Sequence, residues 1–151
     1  MTTTVNGIDE IKALAGSDLG ASDWMEITQE RVNTFADATG DHQWIHVDPE
    51  KAKDGPFGTA IAHGYLTLSL IIPLFNELLV IDGVSMGVNY GLDKVRFPAP
   101  VPVGSKIRLV GKVGDVDDVP GGVQMRVTFT VEVEGGSKPA CIAEAIYRQY
   151  A

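Results

Sequence analysis

The chain has 151 residues, 44% of them apolar and 21% charged, and a net charge of −8. That length suits one domain, residues 1–151, with a real core, and the proportions are those of ordinary globular proteins. The acidic balance argues against non-specific nucleic-acid binding, which needs clustered Lys and Arg, although a local basic patch can still hold an anionic ligand.

With Cys141 as the one cysteine, no disulfide can form within the chain, and a reducing cytosol is the expected setting. Cys141 sits in an apolar run and reads as a small buried hydrophobe. The opening MTTTVNGIDEIK has neither a basic nor an apolar segment of the signal-peptide kind. Tyr65–Phe75, the longest apolar run, is too short to span a bilayer. A soluble, cytoplasmic protein is expected.

In chain order, Ile8, Ile11, Leu14 and Ala15 fall at helical spacing, with Gly16 as a stop. Trp24 to Ile27 predicts a short strand. Thr28 reads as an N-cap, with Arg31 where Glu would complete a capping box. Val32, Phe35 and Ala36 line one face of a helix that Gly40 ends. Asp48-Pro49 predicts the N-cap and first position of a short helix, Pro49 to Lys53. Asp54 to Gly58 packs two glycines and a proline into five residues and must be a loop.

From Gly64 the run YLTLSLIIPLFNELL is apolar on nearly every face, which predicts one long helix buried all round. Pro73 should kink it, because proline lacks the N–H that would reach the Ser69 carbonyl. The second half is β-rich: Val84 to Phe97, Lys106 to Val116, Val123 to Glu134 and Ala140 to Tyr150. The third of these alternates almost strictly, so one face is wet and one buried. Pro120-Gly121-Gly122 and Gly135-Gly136 read as hairpin turns, and Pro98 to Pro102 as a stiff connector. Helices first and consecutive antiparallel strands after give an α+β class. A wholly apolar helix needs complete cover, and a sheet of about five antiparallel strands wrapped around it would supply that, the hot-dog arrangement. Open sheet edges then favour pairing, at least into a homodimer.

The chemistry-bearing residues fall in one stretch. Asp41 and His46 form D-x-x-x-x-H, His46 continues into His-x-Asp-Pro, and Gly-Pro-Phe-Gly and Ala62-His63-Gly64 follow, just before the apolar run. Taken singly, Asp41 reads as readily as a cap or solvated charge, and His46 as a structural histidine. Together they offer what adding water needs: a group that takes a proton and a group that gives one, sharing one water. Gly64, at the start of the helix, offers an unpaired N–H and the positive end of the helix dipole. The spacings fit no metal-binding pattern, and there is no nucleophile elbow or glycine-rich nucleotide loop. No metal or other cofactor is expected.

From Ser22 onward the sequence resembles the MaoC-like dehydratase family, and within it most of all the (R)-specific enoyl-CoA hydratases. The strand Tyr90 to Phe97 and Pro100-Val101-Pro102-Val103-Gly104 add to the likeness. The resemblance implies that Asp41 and His46 are the catalytic pair and that the Gly64 N–H forms the oxyanion hole. It places His63 beside the site in a supporting role. Asn33 is a candidate for orienting the loop that carries Asp41, and Phe57, Tyr65, Leu66 and Tyr90 for closing the acyl pocket. His42 should face solvent or a partner subunit. The implied activity is reversible (R)-specific hydration of trans-2-enoyl-CoA to (R)-3-hydroxyacyl-CoA, with an acyl-CoA thioester as the small-molecule partner. Lys94, Arg96, Lys106 and Arg108 are candidates for the CoA phosphates. The alternatives are a 3-hydroxyacyl dehydratase acting on acyl carrier protein, or a non-catalytic module that binds acyl thioesters.

Overall fold

A computed structural model describes residues Met1–Ala151. The main sheet is antiparallel, with strands in the order β2-β6-β7-β8-β5. β2 is Asp18–Ala21, β5 Met86–Arg96, β6 Lys106–Val119, β7 Gly122–Val133 and β8 Cys141–Tyr150. A two-residue strand, β3 (Met25–Glu26), also pairs with β6, so the sheet has six strands rather than about five. A separate parallel pair joins β1 (Thr3–Asn6) to β4 (Leu79–Asp82) and ties the N-terminus to the end of the central helix.

The alternation in β7 decides which face is core. Val123, Met125, Val127, Phe129 and Val131 are all at most 1% exposed, and the residues between them are not buried. From β6, Ile107, Leu109 and Val113 join them on the same face, and from β8, Cys141, Ala143, Ala145 and Tyr147. Against this concave face lies the central helix, with Leu66, Leu70, Ile71, Leu74, Phe75 and Leu78 buried. Phe129 of β7 packs edge-on against Phe75, with ring centroids 4.9 Å apart, and Tyr147 of β8 stacks on the same phenylalanine at 5.3 Å. A Cβ on Gly111 of β6 would stand 3.4 Å from Leu78 and 3.5 Å from Phe129. The small side chains at 111, 143 and 145 thus let the helix lie close to the sheet. A sheet wrapped around a central helix is the hot-dog fold.

The central helix departs from expectation in two ways. It consists of two segments, α5 (Gly64–Ser69) and α6 (Ile71–Leu78), that meet at Leu70. Pro73 lies in the first turn of α6, where a missing N–H costs least; the break falls ahead of the proline, since the Ser69 carbonyl cannot receive its N–H. Nor is the helix buried all round: Tyr65, Ser69, Ile72, Pro73, Asn76 and Glu77 are exposed. Leu79, read as the last helical residue, opens β4.

Before the helix, Gly7–Lys12 forms α1, shorter than the apolar spacing predicts. α2 runs from Gln29 to Thr39; the Thr28 hydroxyl accepts from the Arg31 N–H at 3.1 Å, and Gly40 ends the helix in the left-handed region at φ 80°. Two one-turn helices follow, α3 (Trp44–Val47) and α4 (Pro49–Ala52), the latter capped by Asp48 through the Lys51 N–H. The chain then crosses back at residues 60–62. The Ala62 N–H donates to the Val101 carbonyl, the Val103 N–H to Ala60, and Ile61 bridges to Pro102. The proline-rich connector is therefore the strut that fixes the approach to Gly64. No helix is long and apolar enough to cross a membrane.

Candidate active site

The site forms where three elements meet: the loop after α2, the one-turn helix α3 and the start of α5. Gly40 ends α2 and releases Asp41 into an exposed loop. Its carboxylate meets only a long 3.4 Å contact from the Gln43 N–H, so most of its hydrogen-bonding capacity is free. His46 lies on α3 and is 7% exposed. Its Nδ1 is 2.7 Å from the Ile61 carbonyl. A carbonyl only accepts, so Nδ1 carries the proton and the neutral ring keeps a free lone pair on Nε2. Burial disfavours the charged ring, and the neighbouring His63 adds to this. Both effects outweigh the Ile61 bond and the Asp41 charge, and hold the His46 pKa below the ordinary imidazole value.

His63, the residue before α5, is 2% exposed. Its Nε2–H donates to the Asp41 backbone carbonyl at 3.0 Å. Its ring stacks on His46, with centroids 3.9 Å apart and 25° between planes, and Phe35 of α2 covers its other side at 4.8 Å. One imidazole thus holds both neighbours: the Asp41 backbone by a hydrogen bond and the His46 ring by contact. Its Nδ1 is sealed from solvent without a partner.

A carboxylate oxygen of Asp41 and one ring nitrogen from each of His46 and His63 lie within 4.8 Å of one another. Two hydrogen bonds of about 2.8 Å span such a gap, so one water can touch both the Asp41 carboxylate and His46. A carboxylate with two imidazoles is also a possible metal-ligand set. The stacking argues against it here, because two nearly parallel rings cannot both point an in-plane lone pair at one ion.

His46 opens onto a cavity of about 430 Å³. Gly64 and Thr67 of α5 form one wall, and Phe57, Ile61, Phe97 and the run Pro98–Val101 form the others. Gly64 stands under the Phe97 ring, so that a Cβ there would meet it at 3.3 Å. The backbone next to Gly64 is therefore open on one side and covered by an aromatic ring on the other.

The sequence-derived set is only partly gathered here. Asp41, His46, His63, Gly64 and Phe57 meet at this cavity or its edge. Tyr65 does not: it is 74% exposed on the outer face of α5, because residue 65 lies a helical step away from Gly64. Asn33 is exposed and touches the loop only indirectly. Gln29, one turn earlier, donates to the His46 carbonyl at 2.7 Å and to Asn33 Oδ1 at 2.9 Å. Gln29 is the residue that ties α2 to α3, and Asn33 braces it. His42 faces solvent and pairs with Asp37 at 2.9 Å, which raises its pKa. Leu66 is buried beneath the other side of α5, and Tyr90 is exposed on β5 under the Arg148 guanidinium. Gln29, Thr67 and Phe97 were not singled out by sequence. Only Thr67 left a legible trace, as a polar residue three positions after Gly64 in an apolar run.

A model of the MaoC like domain matches residues 10–135 of the chain. The chain belongs to the MaoC-like dehydratase family. The 3-hydroxyacyl-thioester dehydratase Z of Mycobacterium tuberculosis is 56% identical over 149 residues, spanning 98% of this chain and 99% of that protein. Nodulation protein N of Rhizobium meliloti is 42% identical over 142 residues, 92% and 88% of the two chains. Among solved structures, R-hydratase PhaJ1 from Pseudomonas aeruginosa superposes with a TM-score of 0.71 at 24% identity, covering 90% of this chain and 81% of that one. This MaoC-like chain is a hydro-lyase.

Proposed function

We propose that this enzyme interconverts (R)-3-hydroxyacyl and trans-2-enoyl thioesters by adding or removing water. The observation that carries the reading is the Asp41 carboxylate and a His46 ring nitrogen within 4.8 Å of each other, with Nδ1 engaged by Ile61 and Nε2 left as the free nitrogen, beside a cavity that Gly64 borders. In the hydration direction the Asp41 carboxylate accepts a hydrogen bond from one O–H of the water, which stays on oxygen as the product hydroxyl, and His46 Nε2 takes the other proton as the water oxygen bonds to C3. The electron pair of the C2–C3 double bond moves toward the thioester oxygen, where the Gly64 N–H stabilises the developing charge. The proton held on His46 then passes to C2 as the carbonyl re-forms, which restores the neutral ring. Dehydration is the same path reversed.

We take CoA as the carrier, with Arg96 the candidate cation for a phosphate that a carrier protein's phosphopantetheine arm would also bring. Arg96 immediately precedes Phe97 of the cavity wall and has no carboxylate partner; its guanidinium reaches only the Val95 carbonyl. It is better placed for a phosphate than Arg108, which is engaged by Glu132 and lies over Trp24. Rates on CoA and carrier-protein thioesters of equal chain length separate the two carriers. We further propose that the enzyme works as a homodimer in the cytoplasm. A role confined to binding acyl thioesters would not require the Asp41–His46 geometry.

The deciding experiment follows the loss of enoyl absorbance as crotonyl-CoA is hydrated. Asp41→Asn and His46→Gln should each lower kcat by roughly 100-fold or more. Turnover unchanged in both variants sinks the assignment.

A further inference from the structure

We propose that the Thr67 side-chain hydroxyl is a second hydrogen-bond donor to the thioester carbonyl oxygen, acting beside the Gly64 N–H. The inference rests on the hydratase reading above and adds a catalytic residue to it.

Thr67 is 3% exposed, yet it lines the same cavity as His46 and Gly64. A buried hydroxyl is ordinarily hydrogen-bonded, and a threonine inside a helix usually turns to the carbonyl four residues back. Thr34 and Thr39 do so, donating to Glu30 and Phe35 at 2.9 Å and 2.8 Å, and Ser69 does the same with Tyr65 at 2.8 Å. Thr67 does not. The His63 carbonyl, its counterpart, already receives the N–H groups of Leu66 and Thr67, each at 3.1 Å. Nor is the hydroxyl sealed off, since His63 Nδ1 is the one sealed side-chain polar atom without a partner. The Thr67 hydroxyl is thus unpaired within the protein and not sealed from the cavity that its residue lines.

What it meets there follows from the rest of the lining. His46 and Thr67 are the only polar side chains, and the others are Phe57, Ile61, Phe97 and small apolar residues. A hydroxyl left unpaired in such a wall costs free energy until a ligand fills its bond. The reacting thioester brings two oxygens, one at C3 and one at C1. The first belongs to the water held by Asp41 and His46. Thr67 stands three residues after Gly64, on the same helical face, and side chains in a helix lean toward its N-terminus. Its hydroxyl therefore reaches back toward the Gly64 N–H, where the C1 oxygen sits. A donor that is waiting before substrate arrives strengthens as charge grows on that oxygen, which speeds the chemical step more than it tightens binding.

The test is crotonyl-CoA hydration by Thr67→Val, which keeps the shape and removes the hydroxyl, and by Thr67→Ser, which keeps it. Thr67→Val should lower kcat by about 100-fold with little change in KM, and Thr67→Ser should restore most of it. A second readout uses 2,4-hexadienoyl-CoA bound to the Asp41→Asn enzyme. A polarised carbonyl shifts its absorbance to longer wavelength, and adding Thr67→Val should shrink that shift. This second measurement also serves through Thr67→Ala if valine does not fold. Wild-type kcat in Thr67→Val, a raised KM alone, an equal fall in the serine variant, or an unchanged spectral shift would each overturn the proposal. Activity retained in Asp41→Asn and His46→Gln instead overturns the hydratase reading on which it rests.

Discussion

At the scale of single residues, the proposed site would divide into groups that touch substrate and groups that aim them. His46 must offer an unprotonated Nε2, and its pKa is held below the ordinary imidazole value by burial and by His63. The acid limb of kcat/KM for hydration should therefore fall with a midpoint below about 6.5. The linkage has the same sign for stability: an unfolded chain protonates this ring more readily than the folded one. Folding stability present above about pH 6.5 is thus lost as pH falls toward the folded pKa. A pH–rate profile checks the first statement; a limb centred above the ordinary imidazole value would contradict it. His63 gives a separate test. His63→Phe keeps an aromatic ring between Phe35 and His46, removes the sealed Nδ1, and deletes the bond to the Asp41 carbonyl. Its melting temperature should stay within a few degrees of wild type, because losing an unpaired buried atom offsets the lost bond. Its kcat should fall by roughly 10- to 100-fold, because Asp41 is no longer held. Comparable losses of stability and activity would make His63 a packing residue only. The proximity of Asp41 and His46, beside a cavity that Gly64 borders, was legible in the sequence because their motif has fixed spacing. Gln29 and Phe97 were not, since each reaches the site through a fold contact that no local pattern encodes.

Secondary-structure elements were legible wherever one period ran unbroken. The alternation from Val123 to Glu134 is the clearest case, and β7 is buried at the alternate positions it predicts. Thr28 and Gly40 bounded α2 through local capping chemistry. The missed strands have a common cause. β1, β2 and β4 are four residues each, too short for a period to register, and they exist because a partner strand is present. The central helix misled for another reason: apolar residues on every face suggested full burial, whereas one face holds the core and the other is exposed. The contact that carries helix on sheet is Phe129, 0% exposed, edge-on to Phe75 and within 6.3 Å of Tyr147. Phe129→Ala should destabilise the protein by about 3–5 kcal/mol, read as a shift in the urea midpoint. A cost under about 1 kcal/mol would mean that the helix packs on the sheet without this residue.

For the molecule as a whole, the question is what covers the exposed apolar face. β5 ends the strand order and pairs only with β8, so its other edge is free along Met86–Arg96. A free edge of eleven residues is a liability unless something pairs with it. The charges that would blunt it, Asp93, Lys94 and Arg96, crowd one end, while Met86, Tyr90 and Leu92 are 53%, 56% and 41% exposed along the rest. Tyr65 and Ile72 on the outer face of the central helix add to the exposed apolar surface, at 74% and 40%. A second copy related by a two-fold axis would pair β5 with β5, join two sheets into one and cover both helix faces. Sedimentation equilibrium should then give twice 16.1 kDa for the wild type. Leu92→Asp, which places a charge in that surface, should shift the mass toward one chain. Salt separates this apolar contact from an ionic one. Each chain carries −8, so two copies repel at low ionic strength, and the screening that weakens salt bridges here relieves the repulsion. The dimer should therefore tighten as salt rises toward about 0.15 M. Dissociation under the same change would point to ion pairs, and a wild-type monomer at micromolar concentration would rule out the paired edge.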